Sequence, residues 1–265
     1  SNSSNGFNQG NYTITYATGD LTVNVRPITL TAKPQTKTYG DELILDNLDA
    51  DIYADDPFTI ADKGVSGDST LPNGEAINKV LFDSITNKNT STVAAADTYD
   101  NEIQITSISD SSISASNYNI TYAPGDLTIA PRAITLTASD RTKVYGDELV
   151  LGNTSFTIAD KGVSGDTTLP NGETVDAVNL VSGSTVTSVN DAGENVTEDL
   201  GVSLSASTDL DVRGSAYEDN ISIASISNSS NGFNQGNYTI TYATGDLTVN
   251  VRPITLTAKP QTKTY

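Results

Sequence analysis

The sequence SNSSNGFNQGNYTITYATGDLTVNVRPITLTAKPQTKTY occupies residues 1–39, and residues 227–265 repeat it without a single change. An identical copy of this length does not arise by chance, so the chain is built from repeats. We therefore expect the 265 residues to be a section of a longer array. In that array we expect glycine after Tyr265, because Gly40 follows Tyr39 in the first copy.

Two diverged copies of one unit lie inside this period. The stretch FTIADKGVSGDSTLPNGE at residues 58–75 returns at residues 156–173 with one serine changed to threonine. NYNITYAPGDL at residues 117–127 returns at residues 237–247 with two changes. Insertions between matched segments are expected to form surface loops or extra hairpins. The main insertions are residues 46–57 in the first copy and residues 175–215 in the second.

Alternating apolar and polar residues predict β-strands along most of the chain. Ile28, Leu30 and Ala32 alternate with Thr29 and Thr31, the period of a strand with one buried face. The same alternation occurs in residues 12–16 and 21–25. The sequence therefore predicts an all-β protein of tandem β-sandwich-like domains. The alternative is a β-grasp-like repeat with one short helix at residues 75–82.

A tight turn is predicted between two of these strands. Ala123-Pro124-Gly125-Asp126 has proline and glycine at the two central positions that suit a type II turn. We therefore expect a hairpin here.

Two prolines are predicted to mark the joints between domains. Proline cannot donate a hydrogen bond to a sheet, so Pro27 and Pro131 are expected to lie where one domain's last strand ends. A linker of one or two residues has little conformational freedom, and we expect the domains to be joined end to end into a stiff rod.

These joints predict two whole domains and two partial ones. We place repeat domain A at residues 28–130 and repeat domain B at residues 134–250. Residues 1–25 are predicted to be the C-terminal hairpin of a preceding repeat, and residues 254–265 the first strand of a following one.

The composition makes most catalytic and ligand-binding chemistry improbable. The chain has no Cys, His, Met or Trp, so it lacks thiolate nucleophiles, histidine bases and the usual ligands of zinc. A net charge of −19 argues against nucleic-acid binding, and no apolar run is long enough to span a membrane. Paired carboxylates alone can hydrolyse glycosides, but such a site needs a cleft lined by aromatic residues, and the chain has only 5 Phe. We therefore expect no enzyme.

Combined motifs resemble a known class of repeat. I-T-L-T-A, then K-x-Y-G-D, then N-Y-x-I-T-Y-x-x-G-D-L-T is similar to the MBG ("mostly beta, glycine-rich") and YDG repeats of large secreted bacterial adhesins and filamentous-haemagglutinin-like exoproteins. The resemblance implies a stalk or extender on the bacterial cell surface, outside the cell. Its partners are then adjacent repeats of the same chain or head-to-tail copies. The alternative is a carbohydrate- or surface-binding module of the same adhesin.

Three kinds of site remain as hypotheses. Tyr-Gly-Asp at residues 39–41 and 145–147 is an interdomain or ligand site, or more simply a turn in which Asp bonds its own backbone while Tyr packs at the joint. Lys37 and Lys143 occupy equivalent strand positions, which makes them candidates for intramolecular Lys–Asn isopeptide bonds resembling those of some bacterial pilus domains. Such a bond needs a buried carboxylate beside it. Calcium binds carboxylate oxygens. The densest acidic stretch is a weak candidate for Ca²⁺, the one cofactor considered: Asp46, Asp49, Asp51, Asp55 and Asp56.

Overall fold

The computed structural model describes residues 8–45, 58–61, 71, 73–159, 164–166, 168–189 and 195–265. The protein is all-β, as the sequence predicts, with 48% of residues in strands and 5% in helices. The helices with described bounds are single 3₁₀ turns at Gln9–Asn11, Ala115–Asn117 and Gln235–Asn237. None of the helices in the described residues is long and apolar enough to cross a bilayer.

In the described part of residues 26–130, seven strands pair into two sheets, and we call them unit A. One sheet has the strand order β3-β1-β6, and the other has the order β2-β7-β5-β4. The strands are β1 (Arg26–Ala32), β2 (Gln35–Thr38), β3 (Phe58–Ala61), β4 (Ile77–Ser84), β5 (Thr98–Ser111), β6 (Tyr118–Ala123) and β7 (Gly125–Ala130).

Unit B consists of the ten strands that the structure describes between residues 132 and 250. Its sheets have the orders β11-β10-β8-β16 and β12-β15-β17-β9, with an added hairpin β13-β14. The strands are β8 (Arg132–Ala138), β9 (Arg141–Val144), β10 (Phe156–Ala159), β11 (Ser164–Asp166), β12 (Thr174–Ser182), β13 (Thr185–Val189), β14 (Asn195–Asp199), β15 (Tyr217–Ser230), β16 (Tyr238–Ala243) and β17 (Gly245–Asn250).

Two pairs of parallel strands connect the two sheets of each unit. In unit A, β1 pairs in parallel with β6 in the first sheet, and their continuations β2 and β7 pair in parallel in the second. Unit B repeats this with β8 and β16, followed by β9 and β17. In each unit, two segments of the chain therefore run side by side from one sheet to the other.

The hairpin predicted at residues 123–126 is wrong for this reason. β6 and β7 flank Pro124, but they belong to different sheets instead of pairing with each other. The glycine serves the crossing point: a Cβ on Gly125 would lie 2.5 Å from the main-chain oxygen of Ala32. Cβ atoms essentially never approach a nonbonded oxygen this closely, so only glycine lets the two backbones come so near to each other.

The helix of the β-grasp alternative is also wrong. Most of residues 75–82 lies in β4, which pairs antiparallel with β5. Its counterpart β12 begins the stretch 175–215 that the sequence comparison assigned to an insertion, and the extra structure there is the hairpin β13-β14.

The predicted burial pattern is confirmed where strands have partners. Ile28, Leu30 and Ala32 are buried in β1, while the threonines between them are half-buried. The buried faces of the strands contribute to a hydrophobic core formed mostly by Ile, Leu and Val.

The two prolines have different places. Pro131 is the one residue between β7 and β8, as a short joint requires. Pro27 instead lies inside β1, where it pairs with Asn119. Residues 8–25 and 251–265 contain no strand, so their assignment to neighbouring repeats stays a prediction.

Candidate functional site: the joint between units A and B

The Tyr-Gly-Asp motif of unit A forms a turn directly after β2. The amide of Tyr39 donates to the main-chain oxygen of Ala130 at 2.8 Å, which extends the pairing of β2 with β7. Gly40 has φ +86°, a left-handed conformation that glycine adopts without steric cost. The turn closes when the amide of Asp41 donates to the oxygen of Thr38 at 3.0 Å.

This turn directs the Tyr39 side chain into unit B. Its hydroxyl donates to Oε1 of Glu173 at 2.6 Å, and the hydroxyl of Tyr238 donates to Oε2 of the same carboxylate at 2.5 Å. The two tyrosine rings meet edge to face with centroids 5.4 Å apart. Phe233 stacks on Tyr238 with ring centroids 4.9 Å apart. We call Tyr39, Glu173 and Tyr238 the tyrosine joint.

The tyrosine joint is buried. Glu173 is 3% exposed and Tyr39 is 1% exposed. Burial, together with the hydrogen bond to Glu173 and its charge, raises the pKa of Tyr39 to about 12. The same causes raise the pKa of Tyr238. Both phenols therefore remain protonated donors at neutral pH, which a buried carboxylate needs because it has lost its hydration.

Two asparagines complete the joint. Asn171 lies two residues before Glu173, and its side-chain oxygen accepts the Glu173 amide at 3.3 Å. Its Nδ2 donates to the Tyr238 hydroxyl at 3.4 Å. The Oδ1 of Asn237 accepts the main-chain amide of Ala96 in unit A at 2.9 Å, a further hydrogen bond between the units.

Arg132, the first residue of β8, holds the turn from the other side. Its Nε donates to the main-chain oxygen of Tyr39 at 2.8 Å, and its NH2 group pairs with the carboxylate of Asp41. A Cβ on Gly40 would lie 3.3 Å from this guanidinium, so glycine also provides room for it. The prediction that Asp41 bonds its own backbone is wrong: its carboxylate binds the first strand of the next unit.

The corresponding groups occur at the outer ends of the two units. In unit A, the Tyr118 hydroxyl donates to Glu75, and Asn73 donates to that hydroxyl at 3.1 Å. At the end of unit B, Arg252, two residues after β17, binds the main-chain oxygen of Tyr145 at 2.6 Å and pairs with Asp147.

The two lysines considered for isopeptide bonds donate to main-chain oxygens. Nζ of Lys37 lies 3.1 Å from the oxygen of Asn89 and 2.6 Å from that of Ser91, and burial lowers its pKa although nearby acidic residues oppose this. Nζ of Lys143 binds the oxygens of Leu204 and Ser205 at 3.1 and 3.3 Å. Each lysine therefore fastens a loop to its unit, an arrangement that favours a noncovalent role.

The buried carboxylate of unit A has partners of its own. Burial by itself raises the pKa of Glu102, but hydrogen bonds from Ser84, Thr86 and Lys88 outweigh it and hold the pKa below its usual range. Glu102 is thus a hydrogen-bond acceptor for the turn after β4.

The candidate calcium ligands Asp46, Asp49, Asp51, Asp55 and Asp56 lie outside the described residues. Within the described residues, no group of three or more acidic side chains is arranged to hold a metal ion.

A concave site separate from the tyrosine joint lies in unit B. Its volume is about 430 Å³, and its lining includes Arg213, Tyr217 and Asp219. The guanidinium of Arg213 lies 4.5 Å from the centroid of the Tyr217 ring, and Tyr217 is only 4% exposed, so its ring offers little surface on which a sugar can stack. The exposed tyrosines Tyr122 and Tyr242 occupy equivalent positions on β6 and β16, one in each unit.

No protein-family model, curated protein or solved structure matches the chain. The resemblance to MBG and YDG repeats therefore stays a prediction.

Sequence reasoning identified Tyr39 but missed its partners. Glu173 and Arg132 are single charged residues with no local motif, and they meet Tyr39 from distant parts of the sequence. One signal was available: residues 58–75 and 156–173 are almost identical, and each ends at the glutamate concerned, Glu75 or Glu173.

Proposed function

We propose that this chain is a structural stalk or extender of a secreted bacterial surface adhesin or extracellular fibre. In this role each repeat docks end to end on the next and holds an adhesive part of the protein away from the cell. The chain itself catalyses no reaction. It acts outside the cell, at the bacterial surface.

The tyrosine joint is the observation that carries this proposal. Flexible domains need only a linker between them. Here Pro131 is the one residue between β7 and β8, and Tyr39 of unit A is buried against Glu173 and Tyr238 of unit B. A buried carboxylate with two hydroxyl donors fixes both distance and direction, because each hydrogen bond weakens steeply when its geometry changes. Such a joint resists bending, as a stalk requires.

The charge supports the same role. With 33 acidic and 14 basic residues, chains repel one another at short range, which keeps neighbouring stalks soluble and apart. The chain has no cysteine, so no disulfide contributes to its rigidity, and the packing, hydrogen bonds and ion pair at the joint take that role.

Small-angle X-ray scattering of the 265-residue chain tests the proposal. We expect an elongated particle with units A and B in line and a narrow distribution of lengths. Glu173→Gln removes the charge that the two hydroxyls bind, and it is expected to broaden that distribution. Glu75→Gln, at the corresponding outer position, is the matched control and should leave it unchanged. A compact particle in the wild type would overturn the proposal.

The rival function is a carbohydrate- or surface-binding module, for which the concave site beside Tyr217 is the candidate. Binding of mono- and oligosaccharides by titration calorimetry distinguishes the two. A saturable signal that Tyr217→Ala abolishes would support the rival, and its absence at millimolar sugar would count against it.

A further inference from the structure

The outer ends of the two units carry the two halves of the tyrosine joint. Tyr145 lies directly after β9, as Tyr39 lies after β2, and Gly146 has φ +84° against +86° for Gly40. Yet Tyr145 is 40% exposed, whereas Tyr39 is 1% exposed. The turn that directs a tyrosine outward is thus already formed at the far end of unit B.

The arginine that holds this turn is already in place. Arg252 binds the oxygen of Tyr145 and the carboxylate of Asp147, just as Arg132 binds Tyr39 and Asp41. In the joint between units A and B, that arginine is the first residue of the next unit's first strand. Residues 252–265 repeat the sequence of residues 26–39, with which unit A begins. Residues 252–265 thus have the sequence with which a second unit A would begin.

Unit A carries the complementary half at its opposite end. Tyr118 and Glu75 are joined by a hydrogen bond, and Asn73 orients the tyrosine, as Tyr238, Glu173 and Asn171 do in unit B. Whereas Glu173 is buried, Glu75 is half-exposed. The hydrogen bonds from Tyr118 and Asn73 hold the pKa of Glu75 below its usual range, so it is a charged acceptor at neutral pH.

A cavity of about 500 Å³ lies beside Tyr118 and Asn73, the two residues that bond to Glu75. It is lined by Asn73, Asn117 and Tyr118 together with residues 23–26. Asn171, Asn237 and Tyr238, the counterparts of those three residues, surround Tyr39 in the joint between units A and B. The cavity therefore lies where a tyrosine from another repeat is accommodated in unit B.

We propose that these ends form a second tyrosine joint: Tyr145 of unit B docks into the cavity of a following unit of type A and donates to its Glu75 beside Tyr118. This proposal rests on the stalk function and gives it a repeating contact, A to B and B to A. The occupant of each end is another repeat of this chain. Joints of both kinds share one chemistry, a carboxylate that accepts hydrogen bonds from two tyrosines.

A lengthened chain tests the proposal. Appending a second copy of residues 40–130 after Tyr265 completes a second unit A, because residues 252–265 already supply its beginning. Tyr145→Phe is the probe variant. In the 265-residue chain it is expected to leave the urea unfolding midpoint unchanged, since the Tyr145 side chain is exposed there. In the lengthened chain the same variant is expected to lower the urea unfolding midpoint, because a buried carboxylate loses a hydrogen-bond donor.

A double-mutant cycle identifies the partner. Tyr145→Phe is combined with Glu75→Gln in the appended copy, and the two changes are expected to be non-additive by about tenfold in the unfolding equilibrium constant. The matched control is Glu75→Gln in the original unit A, whose effect should add to that of Tyr145→Phe. Additivity with the appended Glu75 would overturn the proposal.

Scattering from the same lengthened chain separates this proposal from the stalk function. An elongated particle with additive variants refutes the second joint and leaves the stalk standing. A particle no longer than the 265-residue chain refutes the stalk. An elongated particle with non-additive variants supports both.

Discussion

The two identical 39-residue segments form strands in opposite halves of their sequence. In residues 1–39 the second half forms β1 and β2, whereas in residues 227–265 the first half forms the end of β15, β16 and β17. The 3₁₀ turn is common to both copies, at Gln9–Asn11 and Gln235–Asn237. Leu30 is fully buried and its counterpart Leu256 is 91% exposed. Leu247 is fully buried and its counterpart Leu21 is 89% exposed.

Local propensity cannot explain this difference, because the sequences are the same. β1 and β2 pair with β6 and β7, which follow them in the chain, and β16 and β17 pair with β8 and β9, which precede them. Residues 12–25 have no such pair before them in the 265 residues, and residues 252–264 have none after them. These strands therefore form only when a parallel partner distant in sequence is present.

Hydrogen exchange should show the largest contrast. Amides of residues 28–38 are expected to exchange at least about a thousandfold more slowly than those of residues 254–264, because strand opening in a folded unit is costly. Peptides from the two copies have the same mass, so their deuterium envelope should split into two equal populations. A single envelope would contradict the contrast between the copies.

A methyl group added at the crossing point should affect the two copies differently. A Cβ at Gly245 would lie 2.5 Å from the main-chain oxygen of Ala138, whereas nothing lies within 4 Å of one at Gly19. Gly245→Ala is therefore expected to lower the free energy of unfolding by about 3 kcal/mol, because two backbones have to separate. Gly19→Ala, in the same local sequence, should change it by less than about 0.5 kcal/mol. Urea unfolding measures both, and equal effects would refute the crossing.

The buried lysine offers a second matched pair. Lys37→Met removes the donor for the main-chain oxygens of Asn89 and Ser91, at a cost of about 2 kcal/mol in the free energy of unfolding. Lys263 has the same neighbours in sequence but is exposed, and Lys263→Met should have almost no effect. Thermal unfolding of both variants checks this. A comparable loss at Lys263 would mean that residues 252–265 are folded.

The smallest effect is expected at the tyrosine joint. Tyr39→Phe removes one of two hydroxyl donors from Glu173 and should cost about 1.5 kcal/mol at neutral pH. Tyr265→Phe, its counterpart in the identical segment, is the control and should cost nothing measurable.

Alkaline pH should reduce the difference between wild type and Tyr39→Phe. The folded pKa of Tyr39 is about 12, above the value near 10 of an unfolded tyrosine, so its contribution is complete below about pH 10. It is lost as the pH rises through about 12. Urea unfolding between neutral pH and pH 11.5 measures this, and a difference that stays constant over that range would contradict the joint.

The sequence predicted the strands better than the way they pair. The alternation around Leu30 and the left-handed turn at Gly40 are local, and both are confirmed. The hairpin at Pro124 was wrong because turn chemistry describes only the four residues concerned, whereas the partner of β6 is β1. The helix at residues 75–82 was wrong because that stretch pairs with β5.

The site shows the same division. Tyr39 could be identified because its motif recurs, but the role of Glu173 could not be predicted, since 134 residues separate it from Tyr39. Asp41 was predicted to bond its own backbone, and it pairs instead with Arg132 across the joint. A charged side chain is placed by the opposite charge that the fold brings to it, and that information is absent from its neighbours in sequence.

By itself the sequence determined the repeats, the all-β class and the buried face of β1, because these follow from periodicity and from residue type. Only the tertiary structure decided which strands pair, where the chains cross between sheets, and which copy of one sequence folds in which half. The physical reason is that a strand leaves its main-chain hydrogen bonds unmade until a partner arrives. In this chain the partners of β1, β2, β16 and β17 lie far along the sequence, so identical residues have different structures.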